Sequence, residues 1–384
     1  MFAIIAMVAT TSCKKKKVNN LKSEFKTTYA DIAHANYEDA YNDAIAMRTA
    51  LNTFVDAPSA ANLTAAKNAW LAARESYGQS ETFRFAGGPI DDADGPEGAL
   101  NAWPLDEGYI DYVEGAASSG IVNNASVTID AATLISMNEA GGETNISIGY
   151  HAIEFLLWGQ DDANTALGTP GDRPYTDYVT DGTGTAENQD RRGQYLKVCA
   201  DILVADLLTL VEEWKEGGSY RNTFLNQDDD ESVTNILTGM GVLGKSELAG
   251  ERIFTALDNQ DQEDEHSCFA DNTHRDIILN FEGIQNLYKG SYTRTDGSVV
   301  SGTSFSDIME KADKKLNEEL STLFDECDAA VKAIPVPFDN ALTAESVGGS
   351  GPIMTAVNKL RDLGDKIAEA GSEIDLTIDT SLPE

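Results

Sequence analysis

Helical periodicity runs through this chain with few breaks, and it limits the fold before any other property does. Residues 21–55 carry one continuous helical pattern, closed by the breaker "DAPSA". A second pattern over 62–81 places Leu63, Ala66, Trp70, Ala73 and Tyr77 on one stripe. Further helices are predicted over 106–114 (with Asp106 as cap), 149–159, 187–217, 231–257, 277–287, 305–333 and 354–370. Only the stretch 126–130 alternates as a strand would. The fold class is therefore all-α, built from bundled helices.

The pattern also suggests two halves. "ETFRFA" from Glu81 is echoed by "EHSCFA" from Glu265. A short helix ending in glycine follows each ("YIDYVEG", "IQNLYKG"), then a helix carrying spaced polar groups ("HAIE", "DIME"). The shared order predicts an internal duplication. Residues 21–185 form an N-terminal helical half and 186–384 a C-terminal one, after a distinct opening segment, 1–20.

That segment, "MFAIIAMVATTSCKKKK", has an apolar stretch too short to span a bilayer. It has the form of a secretory h-region with a processing site. Small residues before Cys13 are similar to the lipobox of bacterial lipoproteins, in which the cysteine receives the lipid. The lysines at 14–17 then read as a tether at a membrane surface. The expected location is the envelope of a Gram-negative-type bacterium, lipid-anchored, periplasmic or at the outer membrane. Lipidation leaves Cys199, Cys268 and Cys327, enough for one disulfide at most. A formal charge of −36 over 384 residues repels phosphate backbones, so nucleic acid is excluded as a partner.

The sharpest chemical signal is "GYHAIEFLLWGQD", residues 149–161. His151, Glu154, Phe155 and Trp158 fall on one side of the predicted helix, and Ile153, Leu156 and Leu157 on another. A helix apolar nearly all round is buried, and a buried carboxylate must be paired, protonated or bound. Three residues apart, His151 and Glu154 can reach one point, as the carboxylate–imidazole pairs of bundle metal sites do. The ligand types suit Fe, Zn or Mn. Gly149, lacking a Cβ, lets another backbone or a ligand come close.

Two other segments could complete such a site. "EDEHSCFADNTHRD" brings Glu265, His266 and Asp271 into a loop that could face His151. "SETFRFAGGPIDDADG" supplies Glu81, and Arg84 as an ion-pair partner for Glu154, the purely structural alternative to a metal. Asp91, Asp92 and Asp94 only faintly resemble a calcium loop, with the glycine out of register. HExxH, Gly-x-Ser-x-Gly, P-loop, Rossmann and CxxCH patterns are all absent. Non-covalent haem stays open through His151, Met309 or a tyrosine.

Taken together, "GYHAIEFLLWGQD", "FRFAGGPID", "LNAWPLDEGYIDY" and "EDEHSCFADNTHRDI…GIQNLYKGSY" resemble, in order, segments of the imelysin family, over roughly residues 24–370. The second-half segment is most similar to the family's iron-regulated branch. The resemblance implies two bundle-like halves with Gly149, His151 and Glu154 near their interface. It also implies an envelope lipoprotein of iron or haem acquisition, beside other envelope iron-uptake proteins. The family carries a metallopeptidase label, under which Glu154 would be catalytic. Glu154 cannot easily act as both ligand and general base. Binding of iron, another transition metal such as zinc, or haem is therefore the favoured expectation. A metallopeptidase is the alternative, and a structural lipoprotein with a His–Glu–Arg core network the third reading.

Overall fold

The computed structural model describes residues 2–92, 95–161 and 169–383, with side chains from residue 15 onward. The Cys13 side chain and all of Asp94 thus lie outside the described residues. The first helices are α1 (Phe2–Asp56) and α2 (Ala60–Ser80), joined by a tight turn in which Ser59 Oγ accepts the Asn62 N–H at 3.2 Å. Short helices follow in the irregular stretch: α3 (Glu97–Leu100), α4 (Glu107–Ile110), α5 (Gly120–Asn123) and α6 (Ala131–Met137). Then come α7 (Gly149–Trp158), α8 (Gln189–Trp214), α9 (Ser219–Asn226) and α10 (Asp229–Val242). The last runs directly into a π-helix (Leu243–Phe254) and α11 (Thr255–Asn259). The chain ends with α12 (Thr273–Lys289), α13 (Phe305–Ala312), α14 (Lys314–Lys332), α15 (Phe338–Ala344) and α16 (Pro352–Glu373).

The architecture is all-α, as the periodicity requires, with differences in detail. Helix α1 begins upstream of residue 21, and the Lys15–Lys17 positions are helical. Val18 is buried, and Lys22 Nζ donates to Asp230 Oδ1 at 2.6 Å and to the Ile374 carbonyl at 2.9 Å. This pins the start of α1 to C-terminal elements. Along its length α1 packs on α2 and α8 and also on α10 and α13, so it touches elements on both sides of residue 185. Its inward stripe (Phe25, Tyr29, Tyr37, Met47, Leu51, Phe54) is buried throughout.

The predicted helix over 305–333 breaks at Asp313, whose carboxylate caps α14 by accepting the Leu316 N–H at 3.1 Å. Asp106 holds the cap position of α4 without a capping bond. The strand expected over 126–130 does not form. Instead β1 (Ser291–Thr293) pairs antiparallel with β2 (Val299–Ser301), Tyr292 opposite Val300. Three residues per strand are too few for a period-2 pattern to register. No helix among the described residues is long and apolar enough to cross a membrane.

Helix α7 lies at the centre, with every residue buried, against α2, α3 and α8. Trp70 of α2 donates its indole N–H to the Tyr150 carbonyl at 2.9 Å, and Tyr195 of α8 donates its hydroxyl to the Ser147 carbonyl at 2.8 Å. These bonds fix the start of α7 against α2 and α8.

Candidate functional site

Burial of α7 forces His151 and Glu154 to find partners inside the protein, and the first partner of each is the other. His151 Nδ1 lies 2.9 Å from Glu154 Oε2, with both side chains fully buried. The other carboxyl oxygen, Oε1, accepts the Ala270 N–H at 2.9 Å. Arg84 is not a partner of Glu154. It pairs with Glu81, Asp91 and Glu97 instead, so the expected Glu154–Arg84 alternative does not form. Burial drives Glu154 well above the ordinary carboxylate range. Burial, aided by His266, drives His151 well below the ordinary imidazole range. His151 Nε2 is buried with no hydrogen-bond partner among the described residues.

A second histidine completes the arrangement. The His266 ring lies with its centroid 4.7 Å from that of His151, edge to face. Its Nδ1 is 3.0 Å from Asp276 Oδ2. Burial opposes charge on Asp276, but Arg74 outweighs it, at 3.1 Å from Nη2 and 3.3 Å from Nε, with help from His266 and Ser267. The carboxylate is held well below its usual range, so His266 Nδ1 donates to an ionised acid. His266 Nε2 is then an acceptor, and the Asn101 amide faces it at 3.3 Å. Two carboxyl–imidazole pairs therefore face one another, each held at Nδ1; His151 Nε2 is left without a partner among the described residues, while His266 Nε2 takes the Asn101 amide. Trp103 encloses them, with ring centroids 5.1 Å from His151 and 6.5 Å from His266.

Asn101 links this core to a charged layer. Its Oδ1 accepts Arg74 Nη1 at 2.6 Å, and its Nδ2 also reaches Glu81 Oε1 at 3.4 Å. Glu81 Oε2 accepts Arg252 Nη2 at 2.6 Å and Arg84 Nη1 at 3.4 Å. Burial raises the Glu81 pKa, but Arg252 and Arg84 overcome it and hold Glu81 at about 2. The π-helix makes this possible: Arg252 Nε also bonds Glu247 Oε1, five residues earlier, at 2.9 Å. A cleft of about 330 Å³ opens onto this layer, with Trp103, Arg252 and His266 among its lining residues.

Of the candidates read from the sequence, His151, Glu154 and His266 come together, and Glu81 reaches them through Asn101. Arg84 sits on the far side of Glu81. Glu265 and Asp271 belong instead to a neighbouring acidic group with Asp161 and Asp339. Gly149 has φ +94°, and a Cβ there would meet the Leu100 carbonyl oxygen at 2.7 Å and that of Ala99 at 2.9 Å. The close approach it permits is that of α3. Cys199, Cys268 and Cys327 are free and buried, so no disulfide joins them.

Sequence reasoning missed Arg74, Asn101, Trp103 and Arg252. Arg74 was open to discovery: it follows Trp70 by four residues, placing a cation on the apolar stripe of α2. Asn101 and Trp103 lie in the irregular stretch, where no period marks a position as inward.

Comparison with known proteins agrees with this architecture. The family model for imelysin (peptidase M75) matches residues 33–367. Iron-regulated protein A of Synechococcus elongatus is 27% identical over 335 residues, covering 84% of this chain and 78% of the relative. A crystal structure from Parabacteroides distasonis, described as an iron-regulated protein A precursor, superposes with a TM-score of 0.69 at 21% identity. The match covers 93% of this chain and 95% of that one. An imelysin-like protein from Psychrobacter arcticum superposes with a TM-score of 0.65 at 12% identity, covering 94% and 98%. With a family match over most of its length and the same helical fold as these structures, the chain belongs to the imelysin family.

Proposed function

We propose that this protein binds iron, as a bare cation, between His151 and His266, and serves iron acquisition at the cell envelope. The observation that carries the reading is the buried His151 Nε2 without a partner, on a ring whose Nδ1 is held by a carboxyl group and which faces a second such ring. Metal-bound histidines are commonly oriented in this way, by a carboxylate on the nitrogen away from the metal. The name of the Synechococcus relative points the same way. Under this reading Glu154 positions His151 rather than ligating the cation, since its oxygens serve the imidazole and the Ala270 amide. That leaves it poorly placed as the general base of a peptidase. Haem suits the site less well, because Trp103 and His266 already enclose the His151 ring.

The test loads purified protein with Fe(II) under anaerobic conditions and measures retained metal after dialysis, with zinc in parallel. Near-stoichiometric iron in the wild type, lost in His151→Ala and His266→Ala variants of native circular dichroism, supports the proposal. Wild type that retains neither metal, or a His151→Ala protein that keeps it, defeats the proposal. Insulin cleavage abolished by chelation and by Glu154→Gln would instead favour the peptidase. We further propose lipid attachment at Cys13. Palmitate labelling of the wild type in cells that persists in Cys13→Ser would sink that part.

A further inference from the structure

Beside the histidine site lies an acidic group whose residues come from three separate parts of the chain. One carboxyl oxygen from each of Asp161, Asp271 and Asp339 falls within 4.8 Å of the other two. Asp161 follows the end of α7, Asp271 follows the Ala270 that holds Glu154, and Asp339 lies in α15. Asp161 and Asp339 are buried, and Asp271 is partly so.

A second, separate observation concerns Glu265. It is only 1% exposed, and its Oε1 has no hydrogen-bond partner among the described residues. Beside a hydrogen bond from Thr273, the charges that act on its carboxyl group are those of Asp339, Asp271 and Asp161, so Glu265 neighbours the same group. Burial, then Asp339, also raises Asp271 to about 7. Four acids gathered in a low-dielectric space repel one another unless a cation or protons join them.

We infer that Asp161, Asp271 and Asp339, backed by Glu265, form a binding site for a hard divalent cation of the calcium class. All four side chains offer only oxygen, with no imidazole or thiolate to favour a softer metal. Two trans ligands of calcium at ~2.4 Å lie ~4.8 Å apart, so the observed spacing fits within one calcium shell. The site is independent of the His151–His266 proposal and has a distinct task. It ties the end of α7 and the loop carrying His266 and Ala270 to α15, fixing the elements that present both histidines.

Calcium titration of the full chain by calorimetry, with magnesium as comparison, tests this. The expected result is one saturable calcium site, weakened at least about tenfold in Asp271→Asn, together with a calcium-dependent rise in melting temperature that the variant loses. Asp271 is only partly buried, so its variant should fold more readily than one at Asp339. His151→Ala should retain the calcium response, which separates failure of the iron site from failure of this one. The inference is overturned if calcium shows no saturable binding to the wild type, or if Asp271→Asn and Asp339→Asn, both folded, bind it as the wild type does.

Discussion

Replacing Gly149 with alanine isolates what the first residue of the Gly-x-His-x-x-Glu signature does. The new methyl would sit 2.7 Å from the Leu100 carbonyl oxygen, 2.9 Å from that of Ala99 and 3.0 Å from the Leu100 carbonyl carbon. All three are backbone atoms of α3, so no flexible side chain can yield. The φ of +94° adds a second cost. Left-handed backbone at a non-glycine residue costs about 1–2 kcal/mol, and overpacking a tight interior about 1–3 kcal/mol. The stiffer unfolded chain returns about 0.4–1 kcal/mol, leaving a net loss of about 1–4.6 kcal/mol. Urea denaturation followed by circular dichroism reads this as a lower midpoint at unchanged slope. Gly250→Ala serves as control: among the described residues nothing lies within 4 Å of where its Cβ would stand, and its φ is not in the left-handed region. Its stability should match or exceed wild type. A Gly149→Ala protein within about 0.5 kcal/mol of wild type would show that α3 does not require the glycine.

Two further outcomes follow from the buried charges and thiols. Glu81 titrates at about 2 when folded and near 4.5 ordinarily, so its ion pairs stabilise the protein fully above pH 4.5 and are lost as pH falls toward 2. The shift corresponds to about 3 kcal/mol. In Glu81→Gln, acid unfolding should depend less steeply on pH across that window, and an unchanged acid profile would contradict the assignment. Burial pushes the thiols of Cys199 and Cys268 up, and that of Cys327 up to about 12. A thiol reagent should therefore label these three only after unfolding. Rapid labelling of native protein at any of them, or a mass showing a disulfide, would contradict the structure.

How much of this was legible beforehand depended on whether a residue broke a pattern. His151 and Glu154 stood out because a carboxyl group in an otherwise apolar helix demands an explanation, and that explanation is visible in the fold. His266 could be shortlisted only because few histidines exist. Its role depends on a loop meeting α7 from more than a hundred residues away, which no local period records. For the same reason the sequence could not separate His266 from Glu265 and Asp271, which lie in the same loop but serve a different cluster. Arg84 failed as the partner of Glu154 because nearer acids claimed it. The hairpin escaped notice through brevity, and the π-helix because its sequence differs little from that of an α-helix.

The π-helix sets a limit on how this protein can change. Five residues advance an α-helix by about 500°, so Glu247 and Arg252 would stand about 140° apart if the segment reverted to ordinary winding. Its wider turns let one guanidinium touch both Glu247 and Glu81. Substitutions within 243–254 are therefore far easier to absorb than insertion or loss of a residue, which would swing Arg252 out of alignment and leave Glu81 charged in the dark.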